Sequence, residues 1–237
     1  MAHRRSGFTF VEMLIVITII SVLVSLLLPS IQKAQELARR GVCASNLRQI
    51  GTGYAEYVQD NHGWTPYNLA GRPYEMYILY HKNSGWYNDG ILYRDEYVNT
   101  GRVYFCPSKR KRNIESGYEY NWWVIHDDPA AVMGWSDGDF YSRSNYTPWF
   151  SRKPGGGYGR LYAMDANTAL NCDNLNWPLS VGHNGATQTT RDDPAAYNVL
   201  YADGAVSFWI DTDRISWNEM TAFWQVEMVY EWFDQER

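Results

Sequence analysis

The stretch FTFVEMLIVITIISVLVSLLL, residues 8–28, is an apolar run of 21 residues near the start of a chain of 237. A helix needs about 20 mostly apolar residues to cross a bilayer, so this run predicts a membrane-spanning helix. Its fifth residue is an acid, Glu12. An ionised carboxylate in hydrocarbon costs roughly 2.5–3.5 kcal/mol, so Glu12 indicates a functional group that needs a cationic partner.

Three interpretations of this run compete. A secretory signal peptide requires a small-x-small cleavage site after the run, and the following residues, LLLPSIQKAQ at 26–35, supply only poor matches. An ordinary single-pass anchor accounts for the length of the run but not for Glu12. The third interpretation is a membrane segment whose acid has a function.

The residues before the run favour the third interpretation. MAHRRSG, residues 1–7, is short and basic and ends in glycine, and together with GFTFVEMLIVITIISVL it resembles the N-terminus of a type IV prepilin. The resemblance implies cleavage between Gly7 and Phe8 and methylation of the new Phe8 amine. It also implies that Glu12 meets the Phe8 amine of a neighbouring subunit during filament assembly.

The resemblance also implies partners and a location. The partners are a prepilin peptidase, an inner-membrane assembly platform, membrane lipid before assembly, and other filament subunits of the same or another type. The precursor is expected in the inner membrane as a single-pass protein with a cytoplasmic N-terminus, and the product in a periplasmic or cell-surface filament. The positive-inside count disagrees, since Lys33, Arg39 and Arg40 follow the run while only Arg4 and Arg5 precede it. We expect the orientation that the resemblance implies, with the N-terminus in the cytoplasm.

Residues 29–60 continue the helix as an amphipathic segment. Leu47, Ile50, Tyr54 and Tyr57 recur at steps of three and four residues, which is typical of one apolar helix face. Pro29 predicts a kink or a locally melted turn, because proline removes one backbone hydrogen bond. HGWTP at 62–66 predicts the end of the helix.

Residues 61–237 predict one globular domain, which gives four parts: leader 1–7, membrane helix 8–28, amphipathic helix 29–60 and domain 61–237. The fold class is α+β, with the long helix packed on a small, mainly antiparallel sheet and a C-terminal helix that begins at SWNE, residues 216–219. Residues 127–159 predict a long surface loop, and AlaAspGly at 202–204 predicts a hairpin turn. The predicted strands are residues 102–105, 118–125, 161–164, 197–201 and 205–210.

A second resemblance concerns four further motifs. CASNLRQIGTGYAEYVQDNHGWTPY at 43–67, FCP at 105–107, GHNG at 182–185 and NVLYADGAVSFW at 198–209 resemble a subgroup of type IV pilin-like and type II secretion pseudopilin-like proteins. That subgroup carries a C-terminal histidine followed by AspGly, with nine residues between them. Nineteen residues lie between His183 and Asp203 here, so the signature is a variant. Its members are His183, Asn198, Asp203 and Gly204.

This group of residues has a catalytic, a metal-binding and a structural interpretation. Histidine and carboxylate side chains suit general acid–base catalysis or a metal site. We favour the structural one, in which Asp203 closes a turn through side-chain to backbone hydrogen bonds. Calcium is a separate hypothesis, with Asp203, Asp211 and Asp213 as candidate ligands, because clustered carboxylate oxygens are what calcium prefers.

The chain has three cysteines, Cys43, Cys106 and Cys172, and no CxxC pair. An oxidising compartment predicts one disulfide and one remaining thiol, and the residues alone leave all three pairings open. The resemblance favours Cys43 with Cys106, because both lie in matched motifs.

Composition limits the remaining function classes. The formal net charge is −5, so the domain is not expected to bind nucleic acid. Eleven Trp and 19 Tyr could include an exposed ligand-binding patch, with Trp135, Tyr141, Tyr146 and Trp149 as candidates. We expect a non-catalytic structural subunit of a type IV pilus-like filament. The alternatives are a type II secretion-like pseudopilin and a membrane-tethered carbohydrate-binding or hydrolytic domain.

Overall fold

The computed structural model describes residues 9–66, 78–81, 85–107, 141–144, 146–148, 160–173 and 195–211. Its longest element is the helix α1, Phe10–Asp60, which is continuous through Pro29. Of the two expectations at Pro29, the melted turn is wrong, because the loss of one backbone hydrogen bond does not interrupt the helix, and the kink stays a prediction. The chain divides into two compact units, Met1–Ala38 and Arg39–Arg237.

The end of α1 agrees with the sequence pattern. His62 and Gly63 have positive φ angles of 55° and 89°, which stop the helix. The Gly63 amide then donates to the Val58 carbonyl at 2.8 Å and satisfies one of the last carbonyls of the helix.

The rest of the described chain consists of short helices and antiparallel strands. The strands are β1 Ile78–His81, β2 Gly85–Trp86, β3 Tyr141–Arg143, β4 Tyr146–Pro148, β5 Ala169–Asp173, β6 Ala195–Tyr201 and β7 Val206–Asp211. A three-stranded sheet has the order β2-β1-β3, and a four-stranded sheet has the order β4-β5-β6-β7. The helices are α2 Asp89–Arg94 and two 3₁₀-helices, Gly101–Tyr104 and Leu161–Ala163. The α+β prediction is confirmed, whereas the predicted C-terminal helix lies outside the described residues.

The core forms where the second half of α1 packs on the domain. Leu47, Ile50 and Tyr54 are fully buried, as their helical spacing predicts, in one cluster with Leu170 and Leu200. Each fully buried aliphatic side chain contributes about 1.5–3 kcal/mol relative to an exposed one. This apolar stripe therefore fixes which face of α1 meets the sheet.

The hairpin is also where the sequence places it. Strands β6 and β7 are paired from Ala195 with Asp211 to Leu200 with Val206. Gly204, in the turn between them, has a φ of +82°, a conformation that glycine adopts without strain.

Three other expectations are corrected. Residues 102–105 and 161–164 contain 3₁₀-helices instead of strands. In 102–105, the aromatic and β-branched side chains are buried without strand pairing. Residues 127–159 are not one long loop, since β3 and β4 lie within them. Tyr146 is not an exposed ligand-binding candidate, because its side chain is fully buried in the core. The predicted strand 118–125, Trp135 and Trp149 lie outside the described residues.

Candidate functional site

The N-terminus of α1 positions Glu12 through a reciprocal pair of hydrogen bonds with Thr9. The Thr9 amide and hydroxyl both donate to Glu12 Oε2 at 2.8 Å, and the Glu12 amide donates to Thr9 Oγ1 at 3.3 Å. This arrangement is a capping box, in which a Thr at the N-cap and a Glu three residues later satisfy each other's amides. Glu12 therefore has a structural role in starting the helix, which the sequence analysis missed although the ThrPheValGlu spacing signals it.

The surface that follows Glu12 is apolar and exposed. The helix has a segment with mean hydropathy 2.8, long and apolar enough to cross a membrane. Its large side chains are 45–81% exposed between Phe10 and Leu28. An apolar surface of this extent requires lipid or other apolar helices around it.

The hydroxyl groups in this segment are satisfied within the helix. Thr18, Ser21 and Ser25 each donate to a backbone carbonyl three or four residues earlier, at 2.7 Å. Their hydroxyl protons therefore need no outside acceptor in hydrocarbon. Glu12 is the only ionisable residue of 8–28. Gly7 and Phe8 lie outside the described residues, so cleavage between them and the pairing of Glu12 with a Phe8 amine stay predictions.

A disulfide links α1 to the domain. Cys43 and Cys106 are bonded, with their Cα atoms 5.3 Å apart, and 63 residues separate them in sequence. Beside the bond, the buried Asn46 side chain donates to the Phe105 carbonyl at 3.1 Å. Cys172 is buried in β5 and takes no part in the disulfide.

The variant AspGly signature forms a hairpin. Asp203 Oδ1 accepts a hydrogen bond from the Ala205 amide at 2.9 Å, which is the turn-closing role that the structural interpretation gives it. Asn198 is buried in β6 opposite Phe208, and Gly204 completes the turn. His183 lies outside the described residues, so its place beside this hairpin stays a prediction.

The structure describes the backbone of two of the three calcium candidates. Asp203 lies in the turn that precedes β7, whereas Asp211 is the last residue of β7. Six strand residues span about 20 Å at roughly 3.3 Å each, so the backbones of Asp203 and Asp211 lie at opposite ends of β7. Asp213 lies outside the described residues. Within the described parts of the chain, no group of three or more His, Cys, Asp and Glu residues could hold a metal.

A buried polar cluster joins three elements. Tyr54 of α1 donates its hydroxyl proton to Asp89 Oδ1 at the start of α2. Asn171 Nδ2 of β5 lies 3.0 Å from both Asp89 Oδ2 and the Tyr54 hydroxyl oxygen, and donates to both. All three residues are fully buried. We call Tyr54, Asp89 and Asn171 the buried carboxyl cluster.

Burial dominates the electrostatics of this cluster. The hydrogen bonds from Tyr54 and Asn171 lower the pKa of Asp89, but desolvation outweighs them and raises the pKa from 3.8 to about 7. Desolvation and the nearby Asp89 also raise the pKa of the Tyr54 phenol well above its ordinary value. Sequence reasoning missed the cluster, since AsnAspGly at 88–90 is typical of an exposed turn and no local pattern connects residues 54, 89 and 171.

Known proteins match this chain in two ways: a sequence motif matches its N-terminal part, and two relatives match about one third of its length. Residues 2–28 match the prokaryotic N-terminal methylation motif. The chain is 38% identical over 76 residues to the competence protein ComGC of Halalkalibacterium halodurans, covering 32% of this chain and 74% of that relative. It is 32% identical over 75 residues to the ComG operon protein 3 homolog of Bacillus licheniformis, covering 32% of this chain and 76% of that relative. No solved structure matches the chain.

Proposed function

The chain belongs to the family of the competence protein ComGC, a type IV pilin-like pseudopilin, and on this premise we propose that it is a structural subunit of a pilus-like filament. The family is one of structural subunits and not of enzymes. The observation that carries the proposal is the exposed apolar half of α1 with a single acid at its start. Bundled with identical or related helices, this surface would form the filament core.

The first step is processing at the leader. A prepilin peptidase cleaves between Gly7 and Phe8 and the new Phe8 amine is methylated, which the methylation-motif match across residues 2–28 supports. Mass spectrometry of the mature protein should find an N-terminal methylated Phe8. Gly7→Leu should leave the full-length precursor in the membrane, whereas Ser6→Ala is the matched control that should still be cleaved. A mature terminus at Met1 or beyond Ser30 would overturn this step.

The second step is assembly through Glu12. In the membrane the precursor has its N-terminus in the cytoplasm, and an assembly platform delivers the processed subunit to the filament base. There, the Phe8 amine of an incoming subunit pairs with Glu12 of a subunit already placed. Desolvation of both charges offsets much of their attraction, so the pair contributes mainly to axial register, because a wrong stagger leaves a charge unpaired in an apolar core.

The names of the relatives favour a competence filament over a secretion filament. One is named a competence protein and the other a ComG operon protein 3 homolog. In the strain that makes this chain, its deletion should abolish uptake of a selectable DNA marker and leave secreted proteins unchanged. Loss of secreted proteins with normal marker uptake would instead support the secretion pseudopilin. The acidic domain is not expected to bind DNA itself, so its contribution would come from the filament.

A further inference from the structure

The buried carboxyl cluster has no role in the proposed assembly, yet it connects the main elements of the domain. Tyr54 comes from α1, Asp89 from α2 and Asn171 from β5, with 35 and 82 residues separating Asp89 from its two partners. A single carboxyl group therefore joins the long helix, the short helix and the four-stranded sheet. Any change in its charge acts on all three elements.

The position of Asp89 is fixed by the backbone around it. Gly90 follows Asp89, and a Cβ atom at Gly90 would lie 2.0 Å from the Leu79 carbonyl oxygen of β1. The start of α2 thus lies directly against β1, and the Tyr87 amide donates to the same Leu79 carbonyl at 2.9 Å. The backbone that carries Asp89 therefore cannot move outwards without separating α2 from β1.

The groups that act on the Asp89 carboxyl are uncharged at neutral pH. Its hydrogen-bond partners are the Tyr54 phenol and the Asn171 amide. The next titratable group is Tyr104, a buried phenol in the 3₁₀-helix Gly101–Tyr104 that interacts electrostatically with Asp89 and with Tyr93. No cation among the described residues compensates the carboxylate. A buried charge without a paired cation is destabilising, whereas the neutral acid is tolerated.

The cluster also has an excess of acceptors. Asn171 Oδ1 is buried and has no hydrogen-bond partner among the described residues. An ionised Asp89 adds acceptors only, whereas a protonated Asp89 supplies one more donor. The hydrogen bonds that Asp89 accepts from Tyr54 and Asn171 favour the ionised form, but burial without a paired cation outweighs them and raises the pKa of Asp89.

We propose that the buried carboxyl cluster is a pH-sensitive latch, which holds α1, α2 and β5 together while Asp89 is protonated and weakens when Asp89 ionises. The folded domain binds the proton more tightly than the unfolded chain, in which the Asp89 pKa is near 3.8. The contribution to stability is therefore largest at acid pH, decreases as the pH rises from about 4 to about 7, and is constant above that range. The cluster therefore holds the domain more tightly in mildly acidic than in neutral surroundings.

The test compares the full chain in detergent with three variants by urea unfolding between pH 4.5 and 8.5. As the pH rises from about 4 to about 7, the Asp89 contribution increases the unfolding equilibrium constant of the wild type by about tenfold per pH unit. Asp89→Asn should lose this contribution, so the difference between the two curves is the measurement. Parallel curves for wild type and Asp89→Asn would overturn the proposal.

Two tyrosine variants distinguish the latch from simple packing. Tyr54→Phe removes a hydrogen bond that lowers the Asp89 pKa, so the pH midpoint should move upwards. Tyr104→Phe is the matched control, because the Tyr104 hydroxyl group contacts the Val98 carbonyl at 3.5 Å and not Asp89, so the pH midpoint of this variant should stay in place.

Should Asp89→Asn fail to fold, infrared spectra of the ¹³C-aspartate-labelled chain replace it. They should show one protonated carboxyl that titrates near pH 7 and at higher pH in Tyr54→Phe, and the absence of such a carboxyl at pH 6 would overturn the proposal.

Discussion

Removal of the Cys43–Cys106 disulfide should cause a large loss of stability. The bond closes a loop of 63 residues, for which the chain-entropy relation gives about 4 kcal/mol at 25 °C. The two half-cystines are 0% and 1% exposed, so their replacement also removes buried sulfur from the core. For a domain of this size, about 4 kcal/mol corresponds to an unfolding temperature lower by roughly 10 °C.

The assay compares the full chain in detergent with the double variant Cys43→Ala/Cys106→Ala, by thermal and urea unfolding. Cys172→Ala is the matched control, because Cys172 is equally buried but closes no loop. It measures the packing cost of one lost sulfur. The reasoning would be refuted if the double variant lost no more than twice the Cys172→Ala value, because the cross-link itself would then contribute nothing.

Two further predictions concern close packing and metal. Gly90→Ala should destabilise the domain by about 3 kcal/mol or more, because the new Cβ meets the Leu79 backbone, which cannot move aside as a side chain could. Gly41→Ala, which has open space around it in α1, should instead stabilise by about 0.5–1 kcal/mol, and urea unfolding measures both. A chelator should leave the unfolding temperature unchanged, because Asp203 is engaged in its turn and Asp211 lies at the other end of β7. A fall of many degrees that calcium restores would show a metal site.

The sequence predicts the parts of this fold that depend on local pattern. The length of 8–28 indicates the apolar half of α1, the spacing of Leu47, Ile50 and Tyr54 indicates its buried face, and AlaAspGly indicates the hairpin. The strand predictions fail at residues 161–164 and at 102–105, and in the second segment buried aromatic and β-branched side chains give a helical turn the composition of a strand. At the candidate site, the importance of Glu12 follows from its apolar surroundings.

The buried carboxyl cluster could not be predicted in the same way. Asp89 follows an asparagine and precedes a glycine, which locally indicates a solvated turn. Its burial arises only because the Gly90 backbone lies against β1 and Tyr54 and Asn171 arrive from distant parts of the chain. Such a contact depends on tertiary packing, and no local propensity encodes it.

The central claim is that the charge of Glu12 directs filament assembly, and Glu12→Gln tests it most directly. Glutamine can replace glutamate in the capping box, so α1 should still begin at Phe10 and the variant should be inserted and cleaved. Only the charge that pairs with the Phe8 amine is lost. The measurement is the amount of this chain in sheared filaments, compared with wild type and with Glu12→Val, which loses both the charge and the cap. The account predicts that Glu12→Gln is processed but nearly absent from filaments, as Glu12→Val is. Wild-type filament abundance in Glu12→Gln would contradict it and leave Glu12 with a capping role only.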